Sequence, residues 1–299
     1  MISFWLTFKE VIKPLLMKTF LIAFLLIFSL TSCSQESGQI VTTGPENGTL
    51  IVVGGGRFVP EIMDRFIELA GGADANIVVI PTAAGRDEYD EDDIKKSWKE
   101  LGANNVTVRH TTSKEVANSN EFTAPIKEAT AVWFGGGRQW RLVDSYKDTE
   151  TEKLFWKILE NGGVIGGSSA GATIQGSYLA RGDTKSNQTM MGDHEEGFGF
   201  IKNIAIDQHV LARNRQFDLF DILKKRPELL GIGLDEKTAI VVQGDQFEVI
   251  GESYVLIYDQ SFWSREGSDL KNLPPSNQQF YFLREGDRYD MRKRKLIED

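Results

Sequence analysis

A serine framed by small residues is the part of this chain whose pattern most directly offers chemistry. The run Gly163-Val164-Ile165-Gly166-Gly167-Ser168-Ser169-Ala170-Gly171-Ala172 contains Gly167, Ser169 and Gly171 at alternate positions behind an apolar stretch. That spacing fits a nucleophile elbow, in which a strained strand-to-helix turn lifts a hydroxyl clear of the sheet and small neighbours let the turn close. Ser169 is the candidate nucleophile. Ala172, Ile174 and Leu179 continue the pattern as an expected helix, whose N-terminal dipole would favour an oxyanion at its first turn. In a chain with 29 glycines the five-residue pattern alone is weak, and a Gly-rich turn with Ser168 or Ser169 as a helix cap is its plain structural reading.

A serine nucleophile needs a base, and the chain has three histidines. His209 ends the strand-like run Ile204-Ala205-Ile206-Asp207-Gln208, with Arg213 and Arg215 expected on the next helix. C-terminal strand ends are where open parallel sheets place their sites, so His209 is the preferred base. His110 follows Val106-Thr107-Val108, and His194 lies in a charged stretch with Asp193, Glu195 and Glu196; both read more simply as surface or capping histidines.

The elements that must position these groups alternate. Leu50-Ile51-Val52-Val53 reads as a strand ending in three glycines, and Val59, Ile62, Met63, Phe66 and Ala70 recur at helical spacing. Ile77 to Ile80, Val106 to Val108 and Ala131 to Phe134 repeat the strand signal, with a helix over Asp90 to Leu101. This order predicts an α/β fold with a mostly parallel sheet between helical layers. Beyond about residue 230, the strands Ala239–Val242, Gln246–Ile250 and Tyr254–Tyr258 read as antiparallel additions.

Composition narrows the function class. The chain of 299 residues is 41% hydrophobic and 26% charged, as in a folded globular protein. With 34 Lys and Arg against 43 Asp and Glu the formal charge is −9, which argues against nucleic-acid binding. One cysteine and three scattered histidines make no metal-ligand spacing, so neither a metal nor another cofactor is expected.

The N-terminus accounts for the lone cysteine. Met17-Lys18-Thr19 precedes the apolar run Phe20 to Leu30, which is too short to span a bilayer and right for a signal-peptide core. Leu30-Thr31-Ser32-Cys33 resembles the lipobox of bacterial lipoproteins, so Cys33 is the expected lipidation site, with residues 1–16 an upstream extension. The expected organisation is a signal peptide over 1–32, a flexible tether over 33–48 and one hydrolytic domain over 49–299. The protein is then exported and held on the cell envelope by its lipid, with the periplasm or cell surface and a homodimer left open.

Four blocks carry a family resemblance: Phe134-Gly135-Gly136-Gly137-Arg138-Gln139-Trp140-Arg141-Leu142, the Gly167 to Ala172 elbow, Asp207-Gln208-His209 with Arg213 and Arg215, and Gly231-Ile232-Gly233-Leu234-Asp235-Glu236-Lys237-Thr238-Ala239. They resemble, in order, blocks of the cyanophycinase family, serine peptidases akin to peptidase E, the aspartyl dipeptidase. The resemblance implies a three-layer α/β fold like class I glutamine amidotransferase domains, with a serine in place of their cysteine. It implies Ser169 as nucleophile, His209 as base, an oxyanion hole from Ala170 with Gly136 or Gly137, and Gln139, Asp207, Arg213 and Arg215 around a peptide substrate. The family places a carboxylate in the loop after the elbow, where Asp183 is the nearest candidate and Glu195 stands behind it; Asp183 also suits a plain turn.

Two positions depart from the family pattern. Arg138 replaces an aspartate, and Asp218 stands where cyanophycinases carry a further arginine. If these two pair, the substrate need not differ; if they stay apart, cyanophycin should fit poorly and another aspartyl or acidic peptide better. A ligand-binding lipoprotein on a decayed peptidase scaffold is the alternative from another class, disfavoured because Ser169 and His209 are both present.

Overall fold

In the computed structural model, residues 43–265 and 273–298 are described; they fall in one unit that runs from Thr42. Fourteen strands and eight α-helices are seen among them. The strands are β1 (Thr49–Val53), β2 (Asn76–Ile80), β3 (Asn105–Val108), β4 (Ala131–Phe134), β5 (Val164–Ser168), β6 (Gly176–Tyr178), β7 (Ile201–Gln208), β8 (Leu230–Leu234), β9 (Thr238–Gln243), β10 (Gln246–Gly251), β11 (Val255–Tyr258), β12 (Tyr281–Leu283), β13 (Arg288–Asp290) and β14 (Lys295–Ile297). The helices are α1 (Pro60–Ala70), α2 (Glu91–Glu100), α3 (Lys114–Ala117), α4 (Asn120–Lys127), α5 (Trp140–Tyr146), α6 (Glu150–Glu160), α7 (Ala170–Thr173) and α8 (Leu219–Leu223).

Nine strands form the main sheet in the order β14-β13-β10-β9-β1-β5-β4-β2-β3, parallel from β1 to β3 and antiparallel from β1 outward through β9. Alternation along β1 sends Ile51 and Val53 to one face and Leu50 and Val52 to the other, and all four are buried. The first face packs on α1 through Ile62, Met63, Phe66 and Ile67, and on Trp98 of α2. Pro60 opens α1 at a position whose N–H has no helical partner, and Gly71 closes it in the left-handed region. The opposite face packs on α4, α5, α6 and α7, so the α/β layers expected from the sequence are present.

The later strands divide between two sheets. β9 and β10 extend the main sheet, whereas β11 joins a second sheet, ordered β12-β11-β8-β7-β6, in which β6 to β8 are parallel. Its inner side, with Ile204, Ile206, Ile232 and Leu234, shares the core of the main sheet's second face. Buried Asp259 ties the sheets, since its Oδ2 accepts from Tyr281 Oη (2.6 Å) on β12 and Tyr289 Oη (2.7 Å) on β13.

Three local expectations need correction. The helix after the elbow ends at Thr173, because Gly176 to Tyr178 pair with β7; the Ile174 and Leu179 signal belongs to a turn and a strand. Arg213 and Arg215 lie on turns, and the next helix begins at Leu219. The flexible tether does not reach residue 48: Thr43 N donates to Asp245 Oδ1 (2.6 Å), Gly44 N to Gly244 O (2.8 Å) and Lys202 N to Thr43 O (2.7 Å). Gly44, Pro45 and Gly48 are buried, so the folded part begins earlier than Thr49. The signal segment and Cys33 lie outside the described residues. Among the described residues no helix is long and apolar enough to cross a membrane.

Candidate active site

The parallel strands of both sheets present their C-terminal ends to one place. β1 runs into Gly54-Gly55-Gly56, β4 into Gly135-Gly136-Gly137, β5 into Ser169, β7 into His209 and β8 into Asp235-Glu236. Backbone bonds lock these ends together. Ser169 N donates to Val53 O (3.0 Å), His209 N to Gly54 O (3.1 Å), Gly54 N to Thr238 O (3.0 Å) and Lys237 N to Gly55 O (2.8 Å).

Ser169 sits at φ 58° and ψ −109°, a conformation that L-residues rarely adopt and that the surrounding bonds must enforce. The elbow glycines are obligatory: a Cβ on Gly167 would strike the backbone of Gly171, and one on Gly171 the carbonyl of Phe134. The resulting half-buried hydroxyl lies 2.8 Å from His209 Nε2, while His209 Nδ1 lies 2.6 Å from Glu236 Oε1. Gly55, at φ 124°, lies so close to the imidazole that any Cβ there would collide with the ring.

Burial holds the His209 pKa below its ordinary value, outweighing the carboxylate of Glu236, and Arg213 and Arg215 push the same way. His209 is therefore neutral near pH 7, the form that can accept a proton. Gly136 abuts Ser169, since a Cβ there would lie 3.5 Å from the serine Cβ. Among the described residues, the N–H groups of Gly136, Gly137 and Ala170 donate to no backbone carbonyl or side chain. This arrangement can take a proton from a hydroxyl and receive negative charge beside it.

The acid is the main departure from expectation. Asp183 does not face His209: its Oδ1 accepts from its own loop, at Lys185 N (2.9 Å) and Ser186 N (2.6 Å). Glu195 is also elsewhere, against Arg226 (2.9 Å) and Tyr178 Oη (3.3 Å). The sequence reading missed Glu236, although it stands inside the fourth block; a carboxylate just past a parallel strand end, like His209 itself, was the available signal. Neighbouring Asp235 shapes the turn after His209, where its Oδ1 accepts from Leu211 N (3.0 Å) and Ala212 N (2.9 Å).

The expected substrate-binding residues separate into two groups. Arg213 is exposed beside His209, and Arg215, only 6% exposed, reaches Gln208 O (3.4 Å) and Oε1 (3.3 Å); neither meets a carboxylate among the described residues. Gln139 is buried and donates from Nε2 to Ala180 O (2.5 Å) and Arg181 O (3.0 Å), so it holds the loop after β6. Asp207 is buried and engaged by Arg181, whose Nε and Nη2 meet its two oxygens at 2.8 and 2.9 Å. Arg138 and Asp218 do not pair: Arg138 donates to Asp183 O, and Asp218 accepts from Arg181 Nη2 (2.5 Å).

The other histidines are accounted for. His110 contacts Thr82 Oγ1 (2.9 Å), and His194 lies between Asp144 (2.8 Å) and Asp193 (3.1 Å). Among the described residues no group of His, Cys, Asp and Glu could hold a metal ion.

Known proteins match this architecture across most of the chain. The model of peptidase family S51 matches residues 45–250. A cyanophycinase of Geminocystis herdmanii (strain PCC 6308) is 32% identical over 253 residues, covering 81% of this chain and 93% of the relative. Peptidase E of Pasteurella multocida (strain Pm70) is 24% identical over 210 residues, 68% of this chain and 85% of that one. A crystal structure of a peptidase from an acI-B1 actinobacterium matches with a TM-score of 0.59 at 26% identity, covering 83% of this chain and 98% of that chain. The fold is accordingly the class I glutamine amidotransferase-like α/β arrangement that the resemblance implies. With a family model that spans the whole elbow-to-Glu236 region and relatives aligned over most of its length, this chain belongs to peptidase family S51, the serine hydrolases that include cyanophycinase-like enzymes.

Proposed function

We propose that this S51 hydrolase cleaves aspartyl-containing or other short acidic peptides by acyl transfer to Ser169. The observation that carries the reading is the continuous hydrogen-bonded run from Ser169 through His209 to Glu236, with the guanidiniums of Arg213 and Arg215, which meet no carboxylate among the described residues, at its side. Neutral His209 takes the hydroxyl proton as Ser169 attacks the scissile carbonyl, and Glu236 stabilises the imidazolium that forms. The carbonyl oxygen becomes an oxyanion, which the N–H groups of Ala170 and of Gly136 or Gly137 receive. His209 then returns the proton to the leaving amine, and water repeats the sequence on the acyl-enzyme to release the acid.

Substrate choice follows from charge. A guanidinium as deeply buried as Arg215 and without an acidic partner among the described residues favours a carboxylate brought by the substrate, because a buried unpaired charge is costly. Since Arg138 and Asp218 stay apart, we expect cyanophycin to be the poorer substrate and short acidic peptides the better ones. A panel of α- and β-aspartyl dipeptides with cyanophycin, given to the protein from residue 34, tests this. Turnover of an acidic dipeptide above that of cyanophycin is the expected result; the reverse order would overturn the specificity. Export with lipidation at Cys33 is part of the proposal, and mass spectrometry of the mature N-terminus tests it. An unmodified Cys33 with residues 1–32 still attached would refute it.

A further inference from the structure

Arg181 has no role in the chemistry above, yet it is fully buried and makes four hydrogen bonds. Its Nε and Nη2 form the two-point contact with Asp207, Nη2 also meets Asp218, and Nη1 donates to Asn187 O (3.1 Å). Its backbone sits at φ 57°, and its carbonyl accepts from the Gln139 amide. Such a residue costs a great deal to bury and is held only because its partners are in place.

The consequence lies in the charges around it. Asp207 lies two residues before His209, and Asp218 three residues beyond Arg215. Arg215 feels both carboxylates and Arg181 together: burial first, and then the charge of Arg181, holds its pKa below the usual arginine range, while Asp207 and Asp218 pull it up. Contacts place both acids beside Arg215, whose Nη1 donates to the carbonyl of Gln208, next to Asp207, and whose own carbonyl accepts from Asp218 N (2.9 Å), yet both carboxylates are spent on Arg181. Their geometry explains why a buried guanidinium beside the catalytic histidine is left with only a neutral amide and a carbonyl.

We propose that Arg181 is a specificity-determining positioning residue: by sequestering Asp207 and Asp218 it keeps Arg215 available to a substrate carboxylate. The inference rests on the proposed preference for acidic peptides. Without Arg181 the two carboxylates are left uncompensated and turn to Arg215, closing the anion subsite from within.

The test compares kcat/KM for an aspartyl dipeptide and its asparaginyl counterpart, which differ by one charge. In wild type the acid should be preferred by about ten- to a hundredfold, the range of a charged hydrogen bond. Arg181→Lys should keep that preference. Arg181→Met should lose it, through a raised KM for the acid and little change for the amide. Removing the acids as well, in Arg181→Met with Asp207→Asn and Asp218→Asn, should restore it, and that uncharged cluster is the variant expected to fold if Arg181→Met does not. An Arg181→Met enzyme that keeps the wild-type preference, or a folded triple variant that lacks it, would overturn the sequestration role alone. Absence of any acid preference in wild type would instead defeat the specificity reading beneath it, and the inference with it.

Discussion

Replacing Glu236 by glutamine keeps the side-chain shape and removes the charge that His209 Nδ1 meets at 2.6 Å. An imidazolium and a carboxylate whose charge centres lie about 4 Å apart attract by about 4 kcal/mol at the effective dielectric of a partly wet site. The Glu236 side chain is 35% exposed, so solvent screening reduces this to roughly 3 kcal/mol. Charge develops on His209 only as the hydroxyl proton moves, so the loss falls on the transition state. A fall in kcat/KM of about 10²-fold is expected, with thermal stability close to wild type. The pH profile supplies a second readout. Glu236 raises the His209 pKa against the dominant effect of burial, so its removal lowers that pKa further. Because the base works when neutral, the acidic limb of kcat/KM should move to lower pH in Glu236→Gln. Asp183→Asn is the control, since the Asp183 carboxylate serves its own loop, and should change kcat/KM by less than about threefold. Steady-state kinetics between pH 5 and 9 on an acidic dipeptide measures all of this. A Glu236→Gln enzyme within threefold of wild type, beside an inactive Asp183→Asn, would refute the assignment of the acid.

Ser169→Ala and His209→Ala should each abolish hydrolysis in a folded protein, and the double variant should lose little more, because the groups act as a unit. Kinetics with circular dichroism on the three variants checks this. Gly55→Ala should be both less stable and nearly inactive, since it forces a collision with the His209 ring at φ 124°; thermal melts and activity read the two effects. Asp259→Ala should destabilise by about 3 kcal/mol in chemical unfolding, as two buried tyrosine hydroxyls on different sheets lose their acceptor. His194 gives a pH effect of defined sign. Burial lowers its pKa, but hydrogen bonds to Asp193 and Asp144 outweigh this and raise it above 6.5. Its stabilising contribution is present below pH 6.5 and is lost as pH rises through the raised value, so Asp144→Asn should flatten the stability profile there.

The sequence made the elbow legible because its constraints are local. Gly167 and Gly171 must be small to pass each other and Phe134, and five consecutive residues record that need. His209 was legible because a polar residue ending an apolar strand marks a sheet edge. The acid was not, because Glu236 lies 27 residues from His209 and reaches it only after β7 and β8 pair in parallel. Asp183 was preferred for its position after the elbow, whereas that loop turns back on Asp193 and His194 and presents its carboxylate to its own amides. Seven of the main-sheet strands were read from hydrophobic runs, whereas β13 and β14, only three residues each, were not. The division into two sheets was not legible either, since β10 and β11 carry similar signals and only Glu252-Ser253-Tyr254 separates them. Arg181 shows the same limit: in Leu179-Ala180-Arg181-Gly182 nothing marks an arginine that tertiary structure buries completely.

The nucleophile can be tested without knowing the substrate. An alkyl fluorophosphonate reacts with a serine that a neighbouring histidine activates, so the folded protein should gain one adduct by intact mass, mapped to Ser169 by peptide sequencing. The adduct should be absent in His209→Ala. A folded protein that takes no label, or one labelled at another residue with Ser169 free, would contradict the account.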